Sequence, residues 1–185
     1  AAVEELYEIL ARELEREDLH SLYYEIELPL CRVLAEMERT GCRVDGAELR
    51  RFGEDMAGRI AEKERAIYAA AGRTFNINSP KQLGEVLFED LGIPPVKKTK
   101  SGYSTNAEVL EKLRGQHPVI DLVLEYRQLT KLKSTYVDGL SKVIAPDGRI
   151  HTSFQNTVTA TGRLSSVEPN LQNIPVRTEL GAELR

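Results

Sequence analysis

Apolar residues recur at helical spacing along most of the chain, and only the last quarter changes period. The first helical pattern covers Val3 to about Arg16 and a second runs from Leu22 to Arg39, with Pro29 inside it to kink or restart the helix. Thr40-Gly41 is a stop signal. Asp45, with Glu48 three residues on, has capping-box spacing and opens a long charged helix. The apolar stripe of that helix is Leu49, Phe52, Met56, Ile60 and Ile67, and Ala71-Gly72 ends it.

Ser79-Pro80-Lys81-Gln82 starts a short helix: Ser79 caps, Pro80 suits the first helical position and Gln82 closes the box. It stops near Leu91-Gly92, before Pro94-Pro95. Residues 96–105 have no apolar period and read as a loop, after which Thr105 with Glu108 caps a helix to about Leu113. From Pro118 a long helix is expected to about Ile144. Its stripe is Leu122, Tyr126, Leu129, Leu132, Tyr136, Leu140 and Val143, close to the 3.5-residue repeat of coiled-coil packing. Its natural partner is the 45–71 helix.

Pro146-Asp147-Gly148 is a turn, and beyond it the period becomes two. Residues 149–166, rich in Thr, Val and Ile, read as a β-hairpin or two paired strands, and 168–177 as irregular. The expected fold is therefore mainly α: a long antiparallel helical hairpin with small helices at its tip, followed by a short β-hairpin.

Composition narrows the class. With 41% hydrophobic and 29% charged residues the 185-residue chain reads as globular, and no apolar run approaches the roughly 18 residues of a membrane span. The absence of a Met start or signal segment, and the uncapped character of both ends, suggests a piece of a longer cytoplasmic protein. Cys31 and Cys42 have no histidine beside them, so reduced thiols are the simpler reading and no metal site is expected. The net charge of −4 is uneven. Residues 1–65 hold 10 Lys/Arg against 17 Asp/Glu, and residues 66–185 hold 15 against 12. A polyanion should therefore meet the second part.

Three polar clusters lie there. Asn76, Asn78 and Ser79 precede a helix start, where free N–H groups favour an anion such as phosphate. Lys97, Lys98 and Lys100 lead into Ser101-Gly102-Tyr103-Ser104-Thr105, a second basic and hydroxyl-rich segment. Arg127, Lys131 and Ser134 share one face of the long helix, away from its apolar stripe, with the spacing to follow a phosphate backbone. Capping residues, solvated lysines and an ordinary exposed helix face give the same patterns one at a time. Their convergence on one hairpin tip and flank favours a duplex-gripping surface.

The segment TATGRLSSVEPNLQNIPVRTELG, residues 159–181, closely resembles the start of the palm in the family A DNA polymerases, the DNA polymerase I family of bacteria. Upstream, 75–88, 97–105 and 126–140 resemble the family's thumb motifs in the family's order, and 22–45 resembles the junction from its 3′–5′ exonuclease-like domain. The resemblance implies a division into an exonuclease-domain tail (1–24), a thumb (25–145) and the beginning of a palm (146–185). It implies primer–template contacts by Asn76, Asn78, Ser79, Ser104, Thr105, Arg127, Lys131 and Ser134 along the backbone. Arg163 would reach the minor groove at the primer terminus, Asn170, Gln172 and Asn173 would contact template or primer near that junction, and Arg177 would belong to the same polar network. Minor-groove acceptors lie at similar positions in every base pair, so such donors grip all sequences alike and sense mispairs. The two sets of donors are expected to form one concave wall. One departure stands out: Phe154-Gln155-Asn156-Thr157 replaces the family's usual Phe-Asn-Gln-Thr, exchanging two amides on a strand.

The resemblance also implies DNA replication and repair by a DNA-directed DNA polymerase, a nucleotidyltransferase using palm aspartates, Mg²⁺ and dNTPs. After Asp147 only Glu168, Glu179 and Glu183 carry carboxylates, so no catalytic residue and no metal ligand is expected in this chain. It should bind duplex DNA as a monomer, away from any membrane, without a cofactor and without polymerising alone. A protein-docking helical platform is the rival reading.

Overall fold

Helix dominates, as the apolar periodicity predicts. The structure, a computed structural model, describes residues 2–96, 98–99, 102–176 and 179–184. The chain divides into two units, one of Gly46–Lys142 and one combining the residues up to Asp45 with Val143–Glu183.

The combined unit begins with α1 (Ala2–Arg16), which buries none of its residues, and α2 (Leu28–Thr40). Between them Leu22–Glu27 form a wide π-type turn in which the Leu28 N–H reaches the Tyr23 carbonyl. That turn leads the helix into Pro29, which has no N–H to donate, so the expected kink takes the form of a widened turn. Gly41, at φ 66°, ends α2, and β1 (Cys42–Arg43) follows.

In the second unit, α3 (Gly46–Ala71) buries Leu49, Met56 and Ile67 of its predicted stripe. The short α4 (Pro80–Glu85) runs on into a π-type turn, Val86–Asp90. The segment expected to be a loop instead holds two short strands, β2 (Lys98–Thr99) and β3 (Gly102–Tyr103), paired antiparallel. The next helix, α5 (Ala107–Lys112), is capped by Asn106, whose side chain accepts the Val109 N–H at 2.9 Å; Thr105 is not the cap. Below them Leu83, Leu87, Leu110, Val119, Ile120 and Val123 form a fully buried core with Ile67.

The long second helix is α6 (Pro118–Leu132), a π-type turn Lys133–Val137, and α7 (Asp138–Ser141). The wide turn breaks the expected coiled-coil repeat, because its extra residue per turn rotates the buried face. After Leu129 and Leu132 the buried positions are Val137 and Leu140, and Val143 is 41% exposed beyond the helix end. A Cβ at Gly53 would lie 2.8 Å from Val137 Cγ1, and Lys63 pairs with Glu125. Ascending positions on α3 therefore meet descending ones on α6 and its continuation, which is the predicted antiparallel hairpin.

Returning to the first unit, β4 (Arg149–Ile150) pairs with β1, matching Cys42 to Ile150 and Arg43 to Arg149. Next, β5 (Ser153–Gln155) pairs with β6 (Ser165–Val167), matching Ser153 to Val167. The expected hairpin is the β5–β6 pair, while β4 joins β1 in a separate two-stranded sheet. A short helix not foreseen in the sequence, α8 (Glu179–Leu184), closes the chain. Among the described residues, no helix is long and apolar enough to cross a membrane. Cys31 and Cys42 are free thiols.

Candidate nucleic-acid interface

In the helical-hairpin unit the loop before α4 is held by its own polar side chains. Asn76 Oδ1 accepts the Asn78 N–H at 3.0 Å, and Ser79 Oγ accepts the Gln82 N–H at 3.4 Å. Gln82 does not close a box onto Ser79. Its Oε1 reaches further back and accepts the Asn76 N–H at 2.8 Å, because the Ser79 N–H is already taken by the Asn76 carbonyl. The amide of Asn78 is exposed, and its Nδ2 donates to the Tyr126 hydroxyl at 3.3 Å.

One residue along α6, Arg127 departs from its predicted role on an open face. Its Nη1 donates to the Thr105 carbonyl and its Nη2 lies 3.5 Å from Thr105 Oγ1. The guanidinium is half-buried, and that burial pushes its pKa down. Thr105 is only 4% exposed, so of the two hydroxyls that this segment was expected to offer only the half-buried Ser104 retains access to solvent. Lys131 and Ser134 are exposed as expected, and Ser134 Oγ donates to the Lys131 carbonyl at 3.3 Å.

Tyr126 and Arg127 thus bring two tip segments, 76–79 and 104–105, to the same turn of α6. Lys131 follows one turn later. Lys97, Lys100 and Ser101 lie outside the described residues. Tyr126 and Gln82 were not foreseen as site residues. A stripe position and a cap position carry no sign of the loop they hold.

In the other unit, Arg163 is exposed in the loop joining β5 to β6. Its carbonyl accepts from Thr159 Oγ1, which braces the Gly162 turn. Gln172 is committed internally: Nε2 donates to the Leu164 carbonyl at 2.8 Å and Oε1 accepts the Ser166 N–H at 3.2 Å. Asn170 Oδ1 accepts the Gln172 N–H at 3.0 Å, and Asn173 is exposed. Beneath this loop Thr152 Oγ1 lies 2.7 Å from Ser166 Oγ and donates to the Pro169 carbonyl at 2.7 Å. This buried hydroxyl pair, absent from the sequence reading, holds residues 166–172 against the strands. Arg177 lies outside the described residues.

The exchanged amides have different fates. Asn156 Nδ2 donates to Glu27 Oε2 at 2.7 Å, while Gln155 is exposed.

Known proteins match the whole length of this chain. DNA polymerase I of Bacillus subtilis is 53% identical over 185 residues, covering all of this chain and 21% of that protein. The thermostable DNA polymerase I of Thermus aquaticus is 53% identical over 189 residues, covering the whole chain and 23% of its own length. The chain thus spans about a fifth of the length of these relatives. Among solved structures, the POL domain of Pol1 from M. smegmatis, in complex with DNA primer–template and dNTP, superposes with a TM-score of 0.86. It is 48% identical, and the match covers all of this chain and 33% of that one. The family model described as DNA polymerase family A matches residues 46–185, most of the sequence, and the chain belongs to that family.

Proposed function

We propose that this chain is the duplex-gripping part of a DNA-directed DNA polymerase acting in replication and repair. In this reading residues 1–24 are an exonuclease-domain tail, 25–145 the thumb and 146–185 the beginning of the palm. The carrying observation is the gathering of Asn78 and Ser104–Thr105 at Tyr126 and Arg127, one turn from the exposed Lys131. Asn76, Asn78, Ser79, Ser104, Lys131 and Ser134 then present amides, hydroxyls and one full positive charge to a phosphate backbone. None of these groups selects a base, which suits an activity that must hold every sequence.

In the other unit Arg163, Asn170 and Asn173 supply exposed donors for minor-groove acceptors, while Gln172 shapes the loop that carries them. The binding of DNA primer–template by the M. smegmatis POL domain supports this assignment. Nucleotide addition in this family relies on Mg²⁺ held by carboxylates. Among the described residues no three His, Cys, Asp or Glu side chains come together, so these residues do not fit such an ion.

The test is fluorescence anisotropy of a labelled primer–template duplex titrated with the chain as potassium chloride rises. Sequence-independent binding with log K falling linearly against log salt is expected, and Lys131→Ala should weaken it and lower the slope by about 0.9. Binding indifferent to salt would point to the protein-docking reading. Primer extension by the chain with Mg²⁺ and dNTPs would overturn the assignment of chemistry to other parts of the protein.

A further inference from the structure

We infer that Arg127 is a positioning residue, which sets the 102–106 segment on α6 and does not itself take a phosphate; this rests on the DNA-gripping reading above. An arginine one turn before an exposed lysine on a helix face invites the role of a second backbone contact. Three observations turn it inward. Both terminal nitrogens face Thr105, one bonded to its carbonyl and one 3.5 Å from its hydroxyl. Thr105 is buried, so the contact lies beneath the surface that DNA would meet. Among the described residues no carboxylate pairs with the guanidinium, and its two side-chain contacts both go to Thr105.

The β2–β3 ladder is two residues long and marginal alone. Tyr103 packs on Phe88 with ring centroids 4.9 Å apart, over Gly84, where a Cβ would come within 3.3 Å of Tyr103 Cβ. Tyr103 thus fixes one side of the segment to α4, and Arg127 fixes the other to α6. Ser104 lies between the two anchors, and its placement follows from both.

A fork of two donors is specific to arginine; lysine keeps the charge and loses the fork. The two roles therefore predict different outcomes for Arg127→Lys. A phosphate contact would be largely rescued by lysine, and its removal in Arg127→Ala would lower the salt slope by about 0.9. A positioning residue would not be rescued, and its loss would lower affinity at unchanged slope. The experiment measures duplex affinity against salt for wild type, Arg127→Lys and Arg127→Ala. Amide hydrogen exchange over residues 102–110 is followed in the same proteins without DNA.

The expected result is a roughly tenfold loss of affinity in both variants at wild-type slope, with about tenfold or faster exchange across 102–110. A wild-type affinity in Arg127→Lys, a slope lowered by one contact in Arg127→Ala, or unchanged exchange would each overturn the inference. Failure of the wild-type chain to bind duplex would instead refute the DNA-gripping reading. The exchange comparison would still decide whether Arg127 holds the loop.

Discussion

Gly53→Ala offers a direct test of the contact that sets the helical hairpin. On an open helix face the change would stabilise by about 1 kcal/mol, since alanine loses less backbone freedom than glycine. At Gly53 the new Cβ would lie 2.8 Å from Val137 Cγ1. Carbon atoms pack at roughly 3.5–4.0 Å, so one of the two helices must give by about 1 Å. Val137 cannot turn aside, because a β-branched side chain in a helix has essentially one rotamer. Overpacking of this kind costs about 1–3 kcal/mol, leaving a net loss of roughly 0–2 kcal/mol. In a Val137→Ala background the obstructing methyl is absent and the same substitution should stabilise by about 1 kcal/mol. The assay is urea unfolding of the four proteins, with hydrogen exchange at amides of α3 and α6 as the local readout, since a chain of two units need not unfold in one step. The decisive quantity is the coupling between the sites. Additive effects, with Gly53→Ala alone stabilising by the full helical increment, would show that α3 and the wide turn of 133–137 do not approach as described.

Other consequences concern polar contacts. Tyr126→Phe removes the hydroxyl that accepts from Asn78 and should cost about 0.5–1.5 kcal/mol, seen as faster exchange over residues 76–79; no change there would discount the contact. Thr152→Val strips the buried hydroxyl shared by Ser166 and the Pro169 carbonyl. It should lower stability by about 1–3 kcal/mol, with Thr152→Ser largely restoring it in thermal melts. His151 offers Nδ1 to the Glu38 carbonyl at 2.8 Å and Nε2 to Asp147 at 3.2 Å, and these contacts, in that order, hold its pKa above the ordinary value. A raised folded-state pKa means its contribution is full below about pH 6.5 and is lost as pH rises through the folded value. Stability of wild type relative to His151→Gln should therefore decline over that rise, and a difference flat with pH would count against the clasp.

Much of this was readable from spacing. Leu49, Met56 and Ile67 on one helix, and Tyr126, Leu129 and Leu132 on the other, are buried where a helical period put them. Ser79-Pro80 and Gly41 mark element ends through local backbone chemistry alone. Asn78, Lys131 and Arg163, to which the family resemblance assigns DNA contacts, are exposed.

Other features have no local signature. The widened turn of 133–137 moves burial from Tyr136 to Val137, because a packed helix trades one ideal turn for a better fit to its partner. Arg127 has the spacing of a surface residue, but its long side chain can reach Thr105, twenty-two positions away in sequence. Asn156 and Gln155 were equivalent until Glu27 bound one of them.

From the linear chain alone came the helical class, the order of the main helices, the apolar faces and the family, since period, capping and motif are properties of neighbouring residues. The folded structure alone decided the pairing of Cys42–Arg43 with Arg149–Ile150, the inward turn of Arg127 and the buried hydroxyls under the 166–172 loop. Each of these is a choice among distant partners. It is settled by which arrangement leaves the fewest buried polar groups unpaired while closing the apolar core, a condition on the whole chain that no short stretch of sequence states.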